Sequence, residues 1–302
     1  MMKATWIGLG AMGAPMAGHL AKAGDLATVW NRTPARAEQF VAEHTSIGAA
    51  ADPAQAAADA DVIFLCVSAD DDLRAIVEQL EPSLAAGQIV VDHSTVSPAT
   101  ARDLADALED LGVAFIDAPV TGGVEGAIDG RLAVMAGGDD RAFEKIRPVM
   151  AHYARVIHHL GPSGSGQSAK AVNQLMVAGI AEAVCESLAL MEKLALPQEP
   201  MLELLAGGAA GNWFLDKRGH TMLADSFEVG FDPKLLLKDL RICRSLCAET
   251  GFDSAVVGQA LSDYERLVDA GIGSGDISSL IRLKRSLPGS DPGTDPSPRA
   301  RR

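Results

Sequence analysis

The sequence predicts an α/β protein, a Rossmann-type doubly wound parallel sheet followed by an all-α C-terminal domain. Three observations carry that expectation. Short, almost uniformly apolar runs alternate with amphipathic segments through the first half, the pattern of parallel strands covered on both faces. A glycine-rich turn, GLGAMG, joins the first apolar run to the first helical one. After GPSGSGQ the strand pattern stops and only helical spacing continues.

Taken in order, ATWIGLG, LATVWN, DVIFLCVS, QIVVDHS and VAFIDAP read as strands, and RLAVMAGG and ARVIHHL complete the set. Between them, AMGAPMAGHLAKAG, TPARAEQFVAEH, ADDDLRAIVEQLEP, SPATARDLADALEDLG and DDRAFEKIRPVMAHY have helical spacing with turn residues at their ends. SAKAVNQLMVAGIAEAVCESLALMEKLAL is apolar almost all round and reads as a long helix buried by its neighbours. PKLLLKDLRICRSLCAETG and SAVVGQALSDYERLVDAG continue the helical part. The tail, SLPGSDPGTDPSPRARR, is rich in Pro, Gly, Ser and charge and reads as disordered. The expected organisation is a Rossmann domain over 1–163, a helical domain over 164–288 opening on a long interdomain helix, and a disordered tail over 289–302.

Composition narrows the function classes. The 302 residues include 40 acidic and 26 basic side chains, a formal charge of −14. That balance opposes non-specific nucleic-acid binding and attachment to anionic membranes. No apolar run reads as long and uncharged enough to span a bilayer. MMKATWIGLG enters a strand too early for a signal peptide, so the expected location is cytoplasmic. Cys66, Cys185, Cys243 and Cys247 stand in apolar or helical contexts. They read as reduced, buried thiols, and no metal site is expected.

Gly8, Gly10 and Gly13, with Leu9, Ala11 and Met12 between them, follow the first strand directly. The first glycine permits the tight turn, the second lets a pyrophosphate approach the backbone, and the third lets helix and strand pack closely. The open N–H groups of the helix start then hold the anion. At the end of the second strand stands Asn31-Arg32-Thr33-Pro34 in place of an acidic residue. With no carboxylate there to repel a 2′-phosphate and Arg32 able to pair with one, the expected cofactor is NADP, with NAD possible. Thr33 and Pro34 read as an N-cap and first helical residue. Val67, ending another strand, is a further expected cofactor contact.

Lys170, Asn173 and Gln174 share one helix face at i, i+3 and i+4. On so apolar a helix a lysine calls for a task. Hydride transfer to a carbonyl builds negative charge on its oxygen, which an ammonium stabilises and protonates. Partial burial would lower its pKa into the working range. Thr121, Gly122 and Gly123, in DAPVTGG at a strand end, offer backbone N–H groups and a hydroxyl to a carboxylate. Thr95, in VDHSTVSP, faces the same crevice by the rule for open sheets.

Together, GLGAMGAPM, DAPVTGG and GSGQSAKAVNQ resemble the three signatures of the β-hydroxyacid dehydrogenase family, over nearly the whole chain except the tail. The resemblance implies a homodimer or homotetramer acting on a small carboxylate substrate. It implies Lys170 as the catalytic residue, Thr121, Gly122 and Gly123 as the carboxylate loop, and Thr95 as a cofactor contact. It extends to FDPKLLLKDL, where Lys238 would reach the cofactor and Phe231 and Asp239 would line the active site. Gln174 resembles the tartronate semialdehyde reductase branch and Arg32 the NADPH-using glyoxylate/succinic semialdehyde branch, so the substrate stays open. Two competing readings are an imine reductase-like activity and a non-catalytic dinucleotide-binding scaffold.

Overall fold

The computed structural model describes residues 2–228, 230–271 and 275–285; the expected tail, 289–302, lies outside them. The first part runs β1 (Ala4–Ile7), α1 (Gly13–Ala23), β2 (Leu26–Trp30), α2 (Pro34–Glu43), β3 (Gly48–Ala49), α3 (Pro53–Ala57), β4 (Val62–Leu65), α4 (Asp70–Leu80) and β5 (Ile89–Asp92). It continues with α5 (Pro98–Glu109), β6 (Ala114–Asp117), β7 (Val120–Thr121), α6 (Gly123–Ile128), β8 (Leu132–Gly138), α7 (Asp140–Met150) and β9 (Ala154–His159). Then come α8 (Ser165–Lys193), α9 (Gln198–Gly207), α10 (Trp213–Leu223), α11 (Pro233–Thr250), α12 (Ala255–Asp269) and α13 (Leu280–Arg285).

The strands lie in the order β3-β2-β1-β4-β5-β6-β8-β7, with β9 beside β8. From β3 to β6 all neighbours are parallel. Chain order reverses between β1 and β4, which creates a topological switch point at their carboxyl ends. Alternate residues of each strand feed two cores. Trp6, Phe64, Val91 and Ile116 enter one, and Ile7, Ile63, Leu65, Val90 and Phe115 the other. Burial on both faces is why these strands lack a polar alternation.

The sheet departs from all-parallel pairing at β8, which runs antiparallel to β6 and β7. The link from β6 carries only β7 and the six-residue α6, and β7 pairs with β8 itself, so the chain turns back instead of crossing over. Two-residue β3 and β7 carry no periodic signal, and the sequence did not predict them.

Two compact units emerge: Met1–Leu175 with Lys238–Asp253, and Met176–Leu237 with the chain from Ser254. The division between these units falls inside α8. In the second unit Lys284, on α13, meets Glu182, Glu186 (2.8 Å) and Asp263 (2.6 Å). Glu182, a buried carboxylate on α8, thereby gains its counter-charge. One composition-based expectation needs correction. Over its 29 residues α8 reaches a mean hydropathy of 1.5 in an 18-residue window, long and apolar enough by those measures to cross a bilayer. Half of that window is buried within the protein.

The start of α8 is held unusually close to the sheet. Gly166 lies where a Cβ would stand 2.4 Å from the Met135 carbonyl oxygen and 2.5 Å from that of Asp117. At Gly137 a Cβ would come within 2.9 Å of the Gly166 nitrogen. Gly166→Ala should therefore destabilise the fold by about 1–3 kcal/mol, the range for forced overpacking. An unchanged urea midpoint would show that the backbone separates here without cost.

Candidate active site

The turn after β1 sits at the switch point. Gly8 has φ +99°, and a Cβ there would lie 2.2 Å from the Cys66 carbonyl oxygen, just past β4. At Gly13 a Cβ would lie 1.9 Å from the Gly8 carbonyl oxygen, so helix and turn can touch only through glycine. Gly10 is different. A Cβ there meets nothing within 4 Å, so a side chain would fill the open space in front of the turn that a pyrophosphate needs. This cradle fits a dinucleotide. Leu9 is buried, Ala11 exposed, and Met12 stands at the N-cap of α1. The Leu9 N–H donates to Asn31 Oδ1 at 2.8 Å, and Asn31 Nδ2 donates to the Thr33 carbonyl at 2.9 Å. Asn31 thus ties the turn to the end of β2.

Thr33 does take the N-cap position of α2 with Pro34 at its first turn, but its side chain makes no capping bond. The expectation that no carboxylate lies near Arg32 is overturned. Arg32 Nη1 meets Asp72 Oδ1, in the first turn of α4, at 2.6 Å. Tertiary packing brings in an acid that is 40 residues away in the chain. The Val67 N–H donates to Ser94 Oγ at 2.8 Å. The Thr95 carbonyl accepts from Lys238 Nζ.

Lys170 belongs to the first compact unit, as do Asn173, Gln174, Lys238 and Asp239. Its side chain is buried, 8% exposed, and Nζ donates to the Val120 carbonyl at 2.9 Å. Burial pulls its pKa down to about 8, opposed by Asp239 and reinforced by Lys238. The ammonium has three donors, so the bond to Val120 leaves donors for a substrate oxygen. Gln174 Nε2 donates to Asp239 Oδ2 at 2.6 Å, and Lys238 Nζ lies 3.0 Å from Asp239 Oδ1. Asn173 Nδ2 donates to Gln174 Oε1 at 2.8 Å. The structure therefore links α8, α11 and the loop after β5 through one polar chain.

Thr121 ends β7, half-buried, and exposed Gly122 and Gly123 lead into α6. Gly122 has φ +127° and Gly123 φ +66°, conformations that favour glycine. Phe231 lies in the other unit, where its N–H donates to Asp276 Oδ2 at 3.0 Å. In that unit Asn212 caps α10 through the Leu215 N–H, Phe214 is buried, and Trp213 is exposed beneath Arg218.

Sequence reasoning missed three supports of the site. Asp117 Oδ1 accepts from the Gly164 N–H (2.8 Å) and Oδ2 from the Gln167 N–H (2.9 Å), which satisfies donors at the start of α8. Gln167 in turn donates to the Ser94 carbonyl at 2.8 Å and accepts from the Val96 N–H at 3.2 Å. Both residues stand inside quoted motifs, so composition flagged the segments but not the partners. The third is His93, 3% exposed and packed against both Trp6 and Phe64. Its Nδ1 faces the Ala118 carbonyl at 2.6 Å and Nε2 the Tyr153 hydroxyl at 2.8 Å. A carbonyl only accepts, so Nδ1 carries the proton and Nε2 accepts from Tyr153. Burial pushes the His93 pKa down to about 4, which keeps the ring neutral. Beside it Asp92 is fully buried, and burial raises its pKa to about 7.

Comparison with known proteins agrees with this geometry. Residues 3–161 match the family model of the NAD binding domain of 6-phosphogluconate dehydrogenase. Residues 164–284 match that described as NAD-binding of NADP-dependent 3-hydroxyisobutyrate dehydrogenase. An uncharacterized oxidoreductase of Shewanella frigidimarina is 40% identical over 294 residues, 95% of this chain and 99% of that protein. The NAD-dependent L-serine dehydrogenase of Pseudomonas aeruginosa is 32% identical over 94% of this chain and 98% of its own. The structure of Mycobacterium tuberculosis 3-hydroxyisobutyrate dehydrogenase with L-serine has a TM-score of 0.84 at 29% identity, covering 95% of this chain and 100% of that one.

The open space at Gly10 separates binding from folding. Gly10→Ala should leave the unfolding midpoint unchanged while weakening nucleotide binding roughly tenfold, the loss of one hydrogen bond to a charged group. Calorimetric titration checks this; full nucleotide affinity in the variant would mean that no phosphate approaches this backbone.

Proposed function

Because this chain belongs to the β-hydroxyacid dehydrogenase family of NAD(P)-binding oxidoreductases, we propose that it is an NADPH-preferring reductase. It interconverts a small carboxylate-bearing aldehyde or keto acid and the corresponding hydroxy acid. The observation that carries this reading is Lys170, an amine buried on an apolar helix with its pKa drawn down to about 8. When bound, the nicotinamide supplies or accepts the hydride.

The residues of the chain divide the remaining work. Lys170 donates a proton to the nascent alkoxide in reduction and removes it from the hydroxyl in oxidation. The Val120 carbonyl fixes its ammonium in place. Asp239, held by Gln174 and Lys238, favours the charged form, while burial and the Lys238 charge favour the neutral one. The balance leaves an amine that gains and loses its proton near neutral pH. Thr121, Gly122 and Gly123 hold the substrate carboxylate, with Asn173 contributing to the pocket. Support for the substrate class comes from the relatives named above. L-serine and 3-hydroxyisobutyrate each carry a carboxylate with a hydroxyl two carbons away.

Arg32 supports the NADPH preference, since a guanidinium at the end of β2 suits a 2′-phosphate. Asn31, Thr33, Val67, Thr95 and Lys238 complete the proposed cofactor contacts. The acidic balance of the chain and the family resemblance support a cytoplasmic homo-oligomer that needs neither nucleic acid nor membrane.

Lys170→Ala should lower turnover by about 10²-fold or more, the usual contribution of a positioned acid. Activity within about threefold of the parent would remove that role. In the parent enzyme the charged amine is the form that serves reduction. Reduction should hold steady below about pH 8 and fall as pH rises through that value, while oxidation rises over the same interval. A panel of glyoxylate, succinic semialdehyde, tartronate semialdehyde and cyclic imines, run with both cofactors, tests the substrate class. Turnover of the imines alone would replace it.

A further inference from the structure

We propose that Asp72 is a cofactor-specificity residue. From the first turn of α4 it supplies the carboxylate that the end of β2 lacks, and so limits how strongly Arg32 favours a 2′-phosphate. The inference rests on the NADPH reading above and extends it to a residue outside every motif in the sequence.

In a Rossmann domain the residues after the second strand meet the adenosine ribose. An acid there accepts a hydrogen bond from the 2′-hydroxyl of NAD, and an arginine there pairs with the 2′-phosphate of NADP. This chain places both groups at one point. The Arg32 side chain is 78% exposed and uses Nη1 on Asp72, whose side chain is only 29% exposed. A guanidinium has five N–H donors, so the remaining fork stays available for a phosphate. The carboxylate is the more fixed partner. It sits at a helix N-terminus, where the helix dipole favours negative charge.

Asp70, in the same turn, cannot take this part. It accepts from the Ser97 N–H at 2.9 Å and from Thr100 Oγ1 at 2.7 Å, so it is committed to α5. Asp72 thus acts in two opposite ways. Toward NADP it is a like charge beside a phosphate that carries about −1.5 to −2 at neutral pH, and it offsets part of the attraction to Arg32. Toward NAD it is an acceptor for a neutral hydroxyl. A site so built binds both dinucleotides, with Arg32 and Asp72 setting the ratio between them.

The test is calorimetric titration of the full chain, parent and Asp72→Asn, with NADP⁺, NAD⁺ and 2′,5′-ADP at low and high salt. Asn keeps the shape and removes the charge at this half-buried position. Its NADP⁺-over-NAD⁺ affinity ratio should rise about tenfold at low salt, the size of one to two unit-charge contacts in water. Binding of 2′,5′-ADP should tighten in parallel. Both gains should shrink at high salt, because charges at this surface are screened. A ratio within about twofold of the parent overturns the proposal. Arg32→Ala separates the two levels. If it loses NADP⁺ affinity while Asp72→Asn changes nothing, the NADPH reading stands and the role of Asp72 falls. If Arg32→Ala binds NADP⁺ as the parent does, both fall.

Discussion

The carboxylate of Asp117 is the constraint on which the site depends. The first N–H groups of an α-helix have no partner inside the helix, and a cap usually comes from the residue just before it. At α8 the acceptor comes from β6, 47 and 50 residues earlier in the chain. Burial raises the Asp117 pKa, and the backbone N–H groups it accepts from pull it back. The close approach of Gly137 and Gly166 makes this contact possible. A helix fixed at that point carries Lys170 one turn further along, directly over the chain leaving β6. Its bond to Val120 follows from that placement.

From there the electrostatics are local. A buried amine is costly when charged, and one carbonyl does not repay its desolvation. Asp239 supplies the missing attraction, and Lys238 moderates it from the same helix. The result is an amine poised between its two protonation states, which neither a fully exposed lysine nor one locked in a tight ion pair would be. His93 contributes at one remove. It stays neutral against Trp6 and Phe64 and braces the Ala118 carbonyl at the start of the loop that reaches Val120.

Much of this was legible in the sequence, for identifiable reasons. The strands of the parallel core announced themselves because burial on both faces makes them continuously apolar. The cofactor turn was legible because GLGAMG followed a strand and opened a helix, and each glycine there meets a distinct spatial demand. Lys170 stood out because a charge on an apolar helix is an anomaly. By contrast, β7 was invisible because two residues have no period, and the antiparallel return of β8 was invisible because it depends on that pairing. The Arg32 surroundings were misread. The end of β2 holds no acid, yet α4 delivers Asp72 beside it.

From the order of residues alone follow the Rossmann architecture, the family and a set of candidate site residues. Those features are written in short-range patterns: hydrophobic period, glycine spacing, and a lysine, an asparagine and a glutamine on one helix face. Which carboxylates meet which cations, and where α8 is anchored, are settled by the folded chain alone. Those pairings join residues separated by tens of positions. Their energies depend on burial and distance, which a linear order of residues does not specify.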